Sequence, residues 1–464
     1  MKLSEYFHLN KSQAELDFVD IDFNRDMRLF IDPYLLSKNT DKFSIEAVLT
    51  VQSFFQQVIY LIRGGQRNEA KALFRHLREP NATCLGLSRN NPQGKGAGPT
   101  DASNIFDSLL SSRAVQTGVI QDIEDNVLFV DGFGKDKLSD MVTNIIKNLL
   151  IEYTQRQCEL HGILLTENIN SDYYWDRFLN GWDRRRTNML IVEGKPILLV
   201  PKGIVSFCRA YAGNKYYNNF VLNFIERNDL QIRALLMRTR KNGAQYILKK
   251  ELKRERPFSK EFLRTFTREH SEVLANFKLE TDVAPLKNSE IADIDIQEVI
   301  NRLTRGLRNI TVGNDHVPQF YNTIIGILEL VFYPNLINPH KEGGNICLKF
   351  DNAARMGFFR DLIIARSYIF FECRNESFEA DYSALDELTG RFTNEIGQVG
   401  FIICRQINDR NRLIRRCRDI YRNGRGLIIP LDDDDLIRLL QNCNDLESRF
   451  IESFLLERGS EIMS

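Results

Sequence analysis

Two segments near the C-terminus carry side chains that could hold a metal ion beside a phosphate group. Asp351 ends one apolar run, and Glu372 lies in a later one, with Arg374 two residues beyond it. Carboxylate oxygens are the ligands that Mg²⁺ prefers, and a bound Mg²⁺ can activate water and stabilise charge on a phosphate under attack. These residue types indicate phosphoryl chemistry more clearly than any other part of the chain.

Both apolar runs are predicted to be β-strands. Side chains alternate between the two faces of a strand, so Lys349 shares a face with Asp351, and Arg374 shares a face with Glu372. If the two strands are neighbours, these four side chains converge on one patch. A metal ion there, Mg²⁺ or Mn²⁺, would take Asp351, Glu372 and the backbone carbonyl of Cys373 as ligands.

The elements that must position this patch are predicted from the spacing of apolar residues. In the C-terminal region the predicted helices cover 294–308, 317–332, 382–396, 409–422 and a segment from 433 onward. The predicted strands cover 345–351, 368–374, 399–404 and 426–430.

A chain of 464 residues is too long for one ordinary core, so we expect at least two domains. Polarity rises between Ala275 and Ala292, and Pro285 interrupts the pattern. We therefore predict an N-terminal domain over 1–285 and a C-terminal domain over 286–464. The N-terminal domain is predicted to be the larger one, of mixed α/β (α+β) type, with helices over 45–63, 66–78 and 138–160.

A longer, ordered set of segments surrounds the two acids: Tyr321-Asn322, Leu328 to Pro334, Asp351 to Ala353, Gly357 to Phe359, Phe371 to Asn375, Leu388 to Phe392, Gly400 to Arg405 and Leu431 to Leu436. This set resembles the restriction-endonuclease-like PD-(D/E)XK nuclease fold, and more closely the C-terminal nuclease domains of bacterial anti-phage defence proteins. The resemblance covers about residues 315–440.

The resemblance implies an α/β fold with an αβββαβ-type core and a Mg²⁺-dependent endonuclease acting on DNA. It implies that Asp351 and Glu372 ligate the metal, and that Glu329 on the preceding helix supplies a further acid. Arg374 falls on the catalytic lysine of the family. The N-terminal domain would then act as a sensor, regulator or oligomerisation module in anti-phage defence.

Arg374 is a departure from the family pattern. Arginine has a pKa above ~12 and cannot act as a base, although it can orient a phosphate or stabilise charge. Arg374 could act electrostatically, Lys349 could supply the missing ammonium, or the site could be inactive. In the last case the protein would be a nuclease-fold subunit that binds nucleic acid or a partner without turnover. The structural alternatives are an ion-pair network of Asp351, Glu372 and Arg374, and a partnered structural acid at Glu329.

Arginines cluster just after the predicted strand 399–404. Arg405 and three arginines of the next predicted helix, Arg412, Arg415 and Arg416, are candidates for contact with a nucleic-acid backbone. A solvated helix face explains them equally well.

Composition restricts the partners and the location. The formal net charge is zero, with 62 basic and 62 acidic residues, so a uniformly basic coat for nucleic acid is excluded but a local basic groove is not. DNA is the expected partner and RNA is the alternative; a homo-oligomer and an operon-encoded partner protein are further expectations. No apolar run approaches the ~20 residues that span a bilayer, so we expect no membrane partner and a cytoplasmic protein.

The eight cysteines include no CxxC pair and are predicted to be reduced core residues.

Residues 90–101 are rich in Gly, Pro and Asn and are predicted to form a loop. Within this segment, Gly94 to Thr100 contains the glycines and the lysine that invite comparison with a phosphate-binding loop. It lacks the GxxxxGK[ST] spacing, and no strand precedes it, so a surface loop is favoured.

Overall fold

The structure is a computed structural model. It describes residues 1–77, 80–86, 106, 125–129, 134–281, 283–342, 347–362, 368–378, 383–443 and 449–464. The predicted loop over 90–101 lies outside the described residues.

The first part of the chain mixes helices with short strands. Its helices are α1 (Leu3–Tyr6), α2 (Pro33–Lys38), α3 (Lys42–Arg63), α4 (Arg67–Leu73), α5 (Asp125–Phe129), α6 (Lys135–Ile145) and α7 (Lys147–His161). Its strands are β1 (Phe30–Ile31), β2 (Thr166–Asn170), β3 (Tyr174–Asp176), β4 (Gly181–Asp183), β5 (Arg186–Val192), β6 (Lys195–Ile197) and β7 (Val205–Ser206). The helix predicted over 138–160 is thus two helices, α6 and α7, with a break at Ile146.

Helix α3 begins where Asp41 accepts a hydrogen bond from the backbone N–H of Ser44 at 2.9 Å. Among the described residues, α3 alone is long and apolar enough to cross a membrane by length and composition. Its apolar side chains, including Val51 and Phe54, are buried in the N-terminal core. α3 thus contributes to the N-terminal core, and the cytoplasmic location stays a prediction.

A helical segment follows. Its elements are α8 (Gly213–Tyr216), α9 (Leu222–Asn228), α10 (Leu230–Leu236), β8 (Arg238–Thr239), β9 (Gln245–Tyr246), α11 (Lys249–Glu255), α12 (Lys260–Glu269), α13 (Ser271–Glu280) and α14 (Asn288–Ile291). This segment forms its own apolar cluster, distinct from the N-terminal and C-terminal clusters. The predicted domain bounds stay a prediction.

The C-terminal region is built on one five-stranded mixed sheet. Its elements are α15 (Ile296–Asn309), α16 (Val317–Phe332), β10 (Leu336–Lys341), β11 (Cys347–Asn352), α17 (Phe358–Asp361), β12 (Tyr368–Phe378), α18 (Ser383–Gly390), β13 (Val399–Ile407), α19 (Arg410–Arg422), β14 (Leu427–Leu431), α20 (Asp433–Asn442) and α21 (Phe450–Met463). The strand order is β10-β11-β12-β13-β14. β11 is antiparallel to both of its neighbours, and β12, β13 and β14 are parallel.

Several elements of the C-terminal region differ from the prediction, among them β10 and α18. Strand β10 was not predicted, because its Pro339 lacks an N–H for a sheet; a proline is tolerated here because β10 is an edge strand. Helix α18 ends at Gly390 rather than at 396, and the chain then turns so that Phe392 packs against Gly400 and Gly426. A continuous helix would carry Phe392 away from these glycines.

The eight cysteines are all free thiols, and six of them are buried. The six buried cysteines agree with the predicted core positions, Cys208 and Cys443 are half-buried, and the reduced state stays a prediction.

Candidate functional site

Asp351 and Glu372 lie on neighbouring strands, but they do not face each other. The antiparallel register pairs Asp351 with Tyr368, and Cys347 with Glu372. Glu372 is four residues beyond Tyr368, so the two acids are offset by about 13 Å along the strands. The predicted convergence of both carboxylates on one metal ion is therefore wrong, because sequence spacing did not reveal the register of the strand pair.

Glu372 and Arg374 instead belong to an ion-pair network. Nη2 of Arg374 lies 3.4 Å from Oε1 of Glu372 and 2.9 Å from Oε2 of Glu387. Its Nη1 lies 3.8 Å from a carboxylate oxygen of Glu376. Burial raises the pKa of Glu372, and the charge of Arg374 opposes that shift. Three carboxylates thus share one guanidinium, but Asp351, which the structural alternative included in this network, is not among them.

Lys349 and Cys373 have partners of their own. The ammonium of Lys349 lies 3.2 Å from Oε2 of Glu342 and 4.0 Å from the centroid of the Tyr368 ring. Cys373 is buried, and the strand register pairs it with Ile403 of β13. Because the two predicted acids lie apart, the carbonyl of Cys373 cannot complete a metal site with both of them.

Glu329 is buried on α16 and faces a lysine from the N-terminal part of the chain. Its Oε2 lies 3.4 Å from Nζ of Lys202, which is also buried and lies 4.1 Å from the centroid of the Tyr333 ring. Burial raises the pKa of Glu329 to about 8, and the charge of Lys202 opposes that shift. This geometry corresponds to a partnered structural acid.

Asp351 belongs to a different cluster, in which Asn338 is the central residue. Asn338 lies on β10 with a positive φ of 53°, a conformation that Asn adopts more readily than most residues. Its backbone N–H donates to Oδ1 of Asp17 at 3.0 Å. Its side-chain amide donates to Oδ2 of Asp351 at 2.9 Å and to Oδ1 of Asp41 at 3.3 Å. One asparagine thus joins a C-terminal carboxylate to two carboxylates from the start of the chain.

The cluster holds more buried negative charge than its hydrogen bonds compensate. Burial raises the pKa of Asp351 to about 7, and the charge of Asp41 adds to the shift. Burial also raises the pKa values of Asp17 and Asp41. Two buried oxygens of the cluster, Oδ2 of Asp41 and Oδ1 of Asn338, have no hydrogen-bond partner among the described residues. Buried polar atoms of this kind are uncommon and call for a ligand or a proton.

A polar pocket of about 130 Å³ opens beside this cluster. It is lined by residues of both the N-terminal and the C-terminal regions: Lys42, Phe43, Glu46, Leu149, Glu152, Arg156, Asn338, His340, Asp351 and Tyr368. The positive charge of Arg156 lowers the pKa of Asp351 against the effect of burial. No hydrogen bond or ion pair joins the Arg156 side chain to any residue in the described ranges.

His340 lies beside the same pocket as a neutral ring. Burial lowers its pKa to about 4, so the imidazole carries no charge near neutral pH. Its Nδ1 lies 3.1 Å from the carbonyl oxygen of Asn338. The pocket therefore combines one deeply buried carboxylate, one uncharged imidazole and a guanidinium that can accept an external partner.

The sequence analysis did not select Asp41, Asn338 or Arg156. The Asn-Pro step formed by Asn338 and Pro339 is a turn signal that could have drawn attention. Asp41 carries only the signal of a helix N-cap, and Arg156 carries none, because charged residues are ordinary on a helix such as α7.

The arginines predicted to contact nucleic acid have different environments. Arg405 is 8% exposed in its side chain and bonds to Asp433, Asn375 and the carbonyl oxygens of Ile310 and Leu307. It joins α15 to the sheet and cannot reach a nucleic acid, so this part of the prediction is wrong.

Helix α19 carries the other three arginines of that prediction. Arg412 and Arg415 are exposed and Arg416 is half-buried. The helix packs on β14, which is the opposite edge of the sheet from β10. These side chains therefore lie far from the pocket of Asp351, and their contact with nucleic acid stays a prediction.

No group of three or more His, Cys, Asp or Glu side chains in the described part of the chain is arranged to hold a metal ion.

A family model described as a domain of unknown function (DUF8370) matches residues 8–212. Comparison with curated proteins and with solved structures gives no match. The matched region contains the N-terminal side of the pocket, including Lys42 and Arg156, and also Asp17 and Asp41 of the Asn338 cluster.

Proposed function

We propose that this protein is a metal-dependent nuclease that hydrolyses phosphodiester bonds in DNA, with its reaction centre in the pocket of Asp351. The observation that carries this proposal is the proximity of the Asp351 carboxyl group to the guanidinium of Arg156, which has no protein partner among the described residues. A carboxylate suits a hard cation, and a forked guanidinium suits a phosphate.

The order of elements supports the same proposal. Helix α16 is followed by β10, β11 and β12, then by α18 and β13, and apart from the four-residue helix α17 between β11 and β12 this is the αβββαβ succession that the resemblance implies. β11 is antiparallel to its neighbours, and Asp351 is its penultimate residue. A family assignment of this core remains part of the proposal.

The metal set first predicted, Asp351 with Glu372 and the carbonyl of Cys373, does not fit the strand register. Asp351 with Asp41 and the side-chain oxygen of Asn338 fits better, because Asn338 bonds to both carboxylates, and Oδ2 of Asp41 and Oδ1 of Asn338 have no hydrogen-bond partner among the described residues. All three groups offer hard oxygen ligands, as Mg²⁺ or Mn²⁺ requires. A bound cation would also compensate the excess of buried carboxylates in this cluster.

When bound, the metal would supply an activated water and stabilise charge on the phosphate. The side chains of the pocket would bind and orient the substrate. Arg156 presents parallel N–H donors to two phosphate oxygens, and Lys42, which is exposed, adds a second positive charge. A volume of about 130 Å³ accommodates a phosphate group and a few waters, because a water occupies about 30 Å³.

The experiment compares Asp351→Ala with Glu372→Gln in cleavage of plasmid and of single-stranded DNA over a Mg²⁺ and Mn²⁺ titration. We expect Asp351→Ala to lose about 100-fold or more of the activity, whereas Glu372→Gln retains it, since Glu372 forms an ion pair with Arg374 outside the pocket. Chelation by EDTA should abolish cleavage by the wild type. Undiminished cleavage by Asp351→Ala would reject the proposal.

A second candidate is a nuclease-fold subunit that binds nucleic acid or a partner protein without turnover. It is favoured by the offset between Asp351 and Glu372, which separates the two acids that an active family member would bring together. In this case the wild type would bind DNA with a steep salt dependence but would show no metal-dependent cleavage. RNA as the substrate, self-association, an operon-encoded partner and a role in anti-phage defence stay predictions.

A further inference from the structure

A second pocket, larger than that of Asp351, lies within the region matched by the domain family. Its volume is about 350 Å³, within the range of pockets that hold small organic ligands. It is lined by His76, Pro80, Asn81, Ala82, Asn144, Lys147, Asp172, Tyr173 and Pro196. The proposed nuclease reaction uses none of these residues.

Lys147 places a positive charge in this pocket. The residue is 9% exposed, and burial lowers the pKa of its ammonium. Its ion-pair partner is Asp172, whose Oδ2 lies 3.4 Å from Nζ. The Asp172 side chain is 76% exposed and therefore well hydrated, so it compensates the buried ammonium only weakly. An external anion that excluded water from Lys147 would compensate it better.

The other walls are suited to a flat organic group. The rings of His76 and Tyr173 lie with their centroids 4.0 Å apart, and the guanidinium of Arg184 lies 5.5 Å from the Tyr173 centroid. Pro80, Ala82 and Pro196 add apolar surface. A bare phosphate would leave most of the 350 Å³ empty, so the pocket fits an anion attached to a larger, flat body.

We propose that this pocket binds a phosphate monoester attached to a planar ring, as in a mononucleotide. Lys147 binds the phosphate group, and Asp172 turns outward into solvent when the ligand enters. The same chemistry is present in a free mononucleotide and at the 5′-phosphorylated end of an oligonucleotide.

This pocket is separate from the pocket of Asp351. Lys147 is the first residue of α7, and Arg156 lies nine residues or about 14 Å further along the helix. Binding here does not depend on nuclease activity, so its failure and the failure of the proposed function are distinguishable.

The test is isothermal titration calorimetry on the full chain with AMP, GMP, inorganic phosphate and a 5′-phosphorylated oligonucleotide, beside the same oligonucleotide without the phosphate. We expect saturable binding of the nucleotide or of the 5′-phosphorylated oligonucleotide, and weaker binding of inorganic phosphate. The two organic probes identify the source of the ligand, and binding of either supports the proposal if Lys147→Met weakens it about tenfold.

Two further variants test the role of Asp172 and provide a control outside the pocket. Asp172→Asn removes the competing carboxylate from an exposed position and should tighten binding severalfold without unfolding the protein. Lys195→Met removes an exposed lysine next to Pro196 that does not line the pocket, and it should leave binding unchanged. The proposal is overturned if none of the probes binds, or if neither Lys147→Met nor Asp172→Asn alters the affinity.

Discussion

Asp351 faces Tyr368 across the antiparallel pair of β11 and β12, and Glu372 lies four residues further along β12, opposite Cys347. The carboxyl group of Asp351 therefore belongs to the pocket shared with the N-terminal region, whereas that of Glu372 belongs to the ion pairs of Arg374. The two acids that the sequence predicts to form one site therefore lie in two separate sites.

Arg156 is expected to bind the substrate phosphate. Arg156→Gln should weaken DNA binding about tenfold and reduce the slope of log affinity against log salt by about one, since one phosphate contact is lost. Fluorescence anisotropy over a salt series measures both quantities. The matched control is Arg308→Gln, an exposed arginine of α15 that does not line the pocket. If the two variants behave alike, Arg156 has no special part in binding.

Arg374 is expected to be dispensable for cleavage. Arg374→Ala and Arg374→Lys should both retain the activity of the wild type, because the guanidinium is neutralised by Glu372, Glu376 and Glu387. Thermal unfolding and plasmid cleavage are measured on the same preparations. The folding cost of Arg374→Ala includes the loss of a counter-charge beside buried Glu372, so activity is compared well below the melting temperature. If a folded Arg374→Ala variant loses cleavage and Arg374→Lys retains it, the prediction is wrong and Arg374 takes part in the reaction.

The buried acid Glu329 makes folding stability depend on pH. Its pKa of about 8 in the folded protein exceeds the ordinary glutamate value of 4.5, so the folded state binds more protons than the unfolded state between these two pH values. Stability of the wild type relative to Glu329→Gln should therefore fall as pH rises from about 4.5 to about 8.

Between these two pH values, the free energy of unfolding of the wild type relative to that of Glu329→Gln should fall by an amount on the order of a few kcal/mol. Urea unfolding of the wild type and of Glu329→Gln at acidic and mildly alkaline pH measures it. A difference that does not change with pH would show that Glu329 stays ionised throughout, as a fully compensated partner of Lys202 would.

Asn338 combines an unusual backbone conformation with hydrogen bonds to two carboxylates. Asn338→Ala should lower the free energy of unfolding by about 2–4 kcal/mol, from the lost hydrogen bonds and from the cost of a positive φ. Asn338→Gly loses the same side chain but tolerates the positive φ, so it should be about 1 kcal/mol more stable than Asn338→Ala. Equal stabilities of the two variants in chemical unfolding would exclude a contribution from backbone conformation.

Most of the C-terminal elements could be predicted from the sequence, because local patterns determine them. Apolar spacing located α15, α16, α19 and the strands from β11 to β14. Strand β10 was missed because Pro339 is a local signal against a strand, and only its position at the sheet edge makes it acceptable. The early end of α18 depends on Phe392 packing against Gly400 and Gly426, which are contacts between distant parts of the chain.

The sequence by itself determined which side chains can carry chemistry: it identified Asp351 as a candidate carboxylate and placed it on a strand next to another. Only the tertiary structure decided its partners. The register of an antiparallel pair depends on packing and on the connecting segment, and a shift of a few residues moves an acid by many ångströms along the sheet. Asp41 and Arg156 reach Asp351 because the N-terminal helices pack against the sheet edge, a contact between residues about 200 or more positions apart that local patterns in the sequence do not encode.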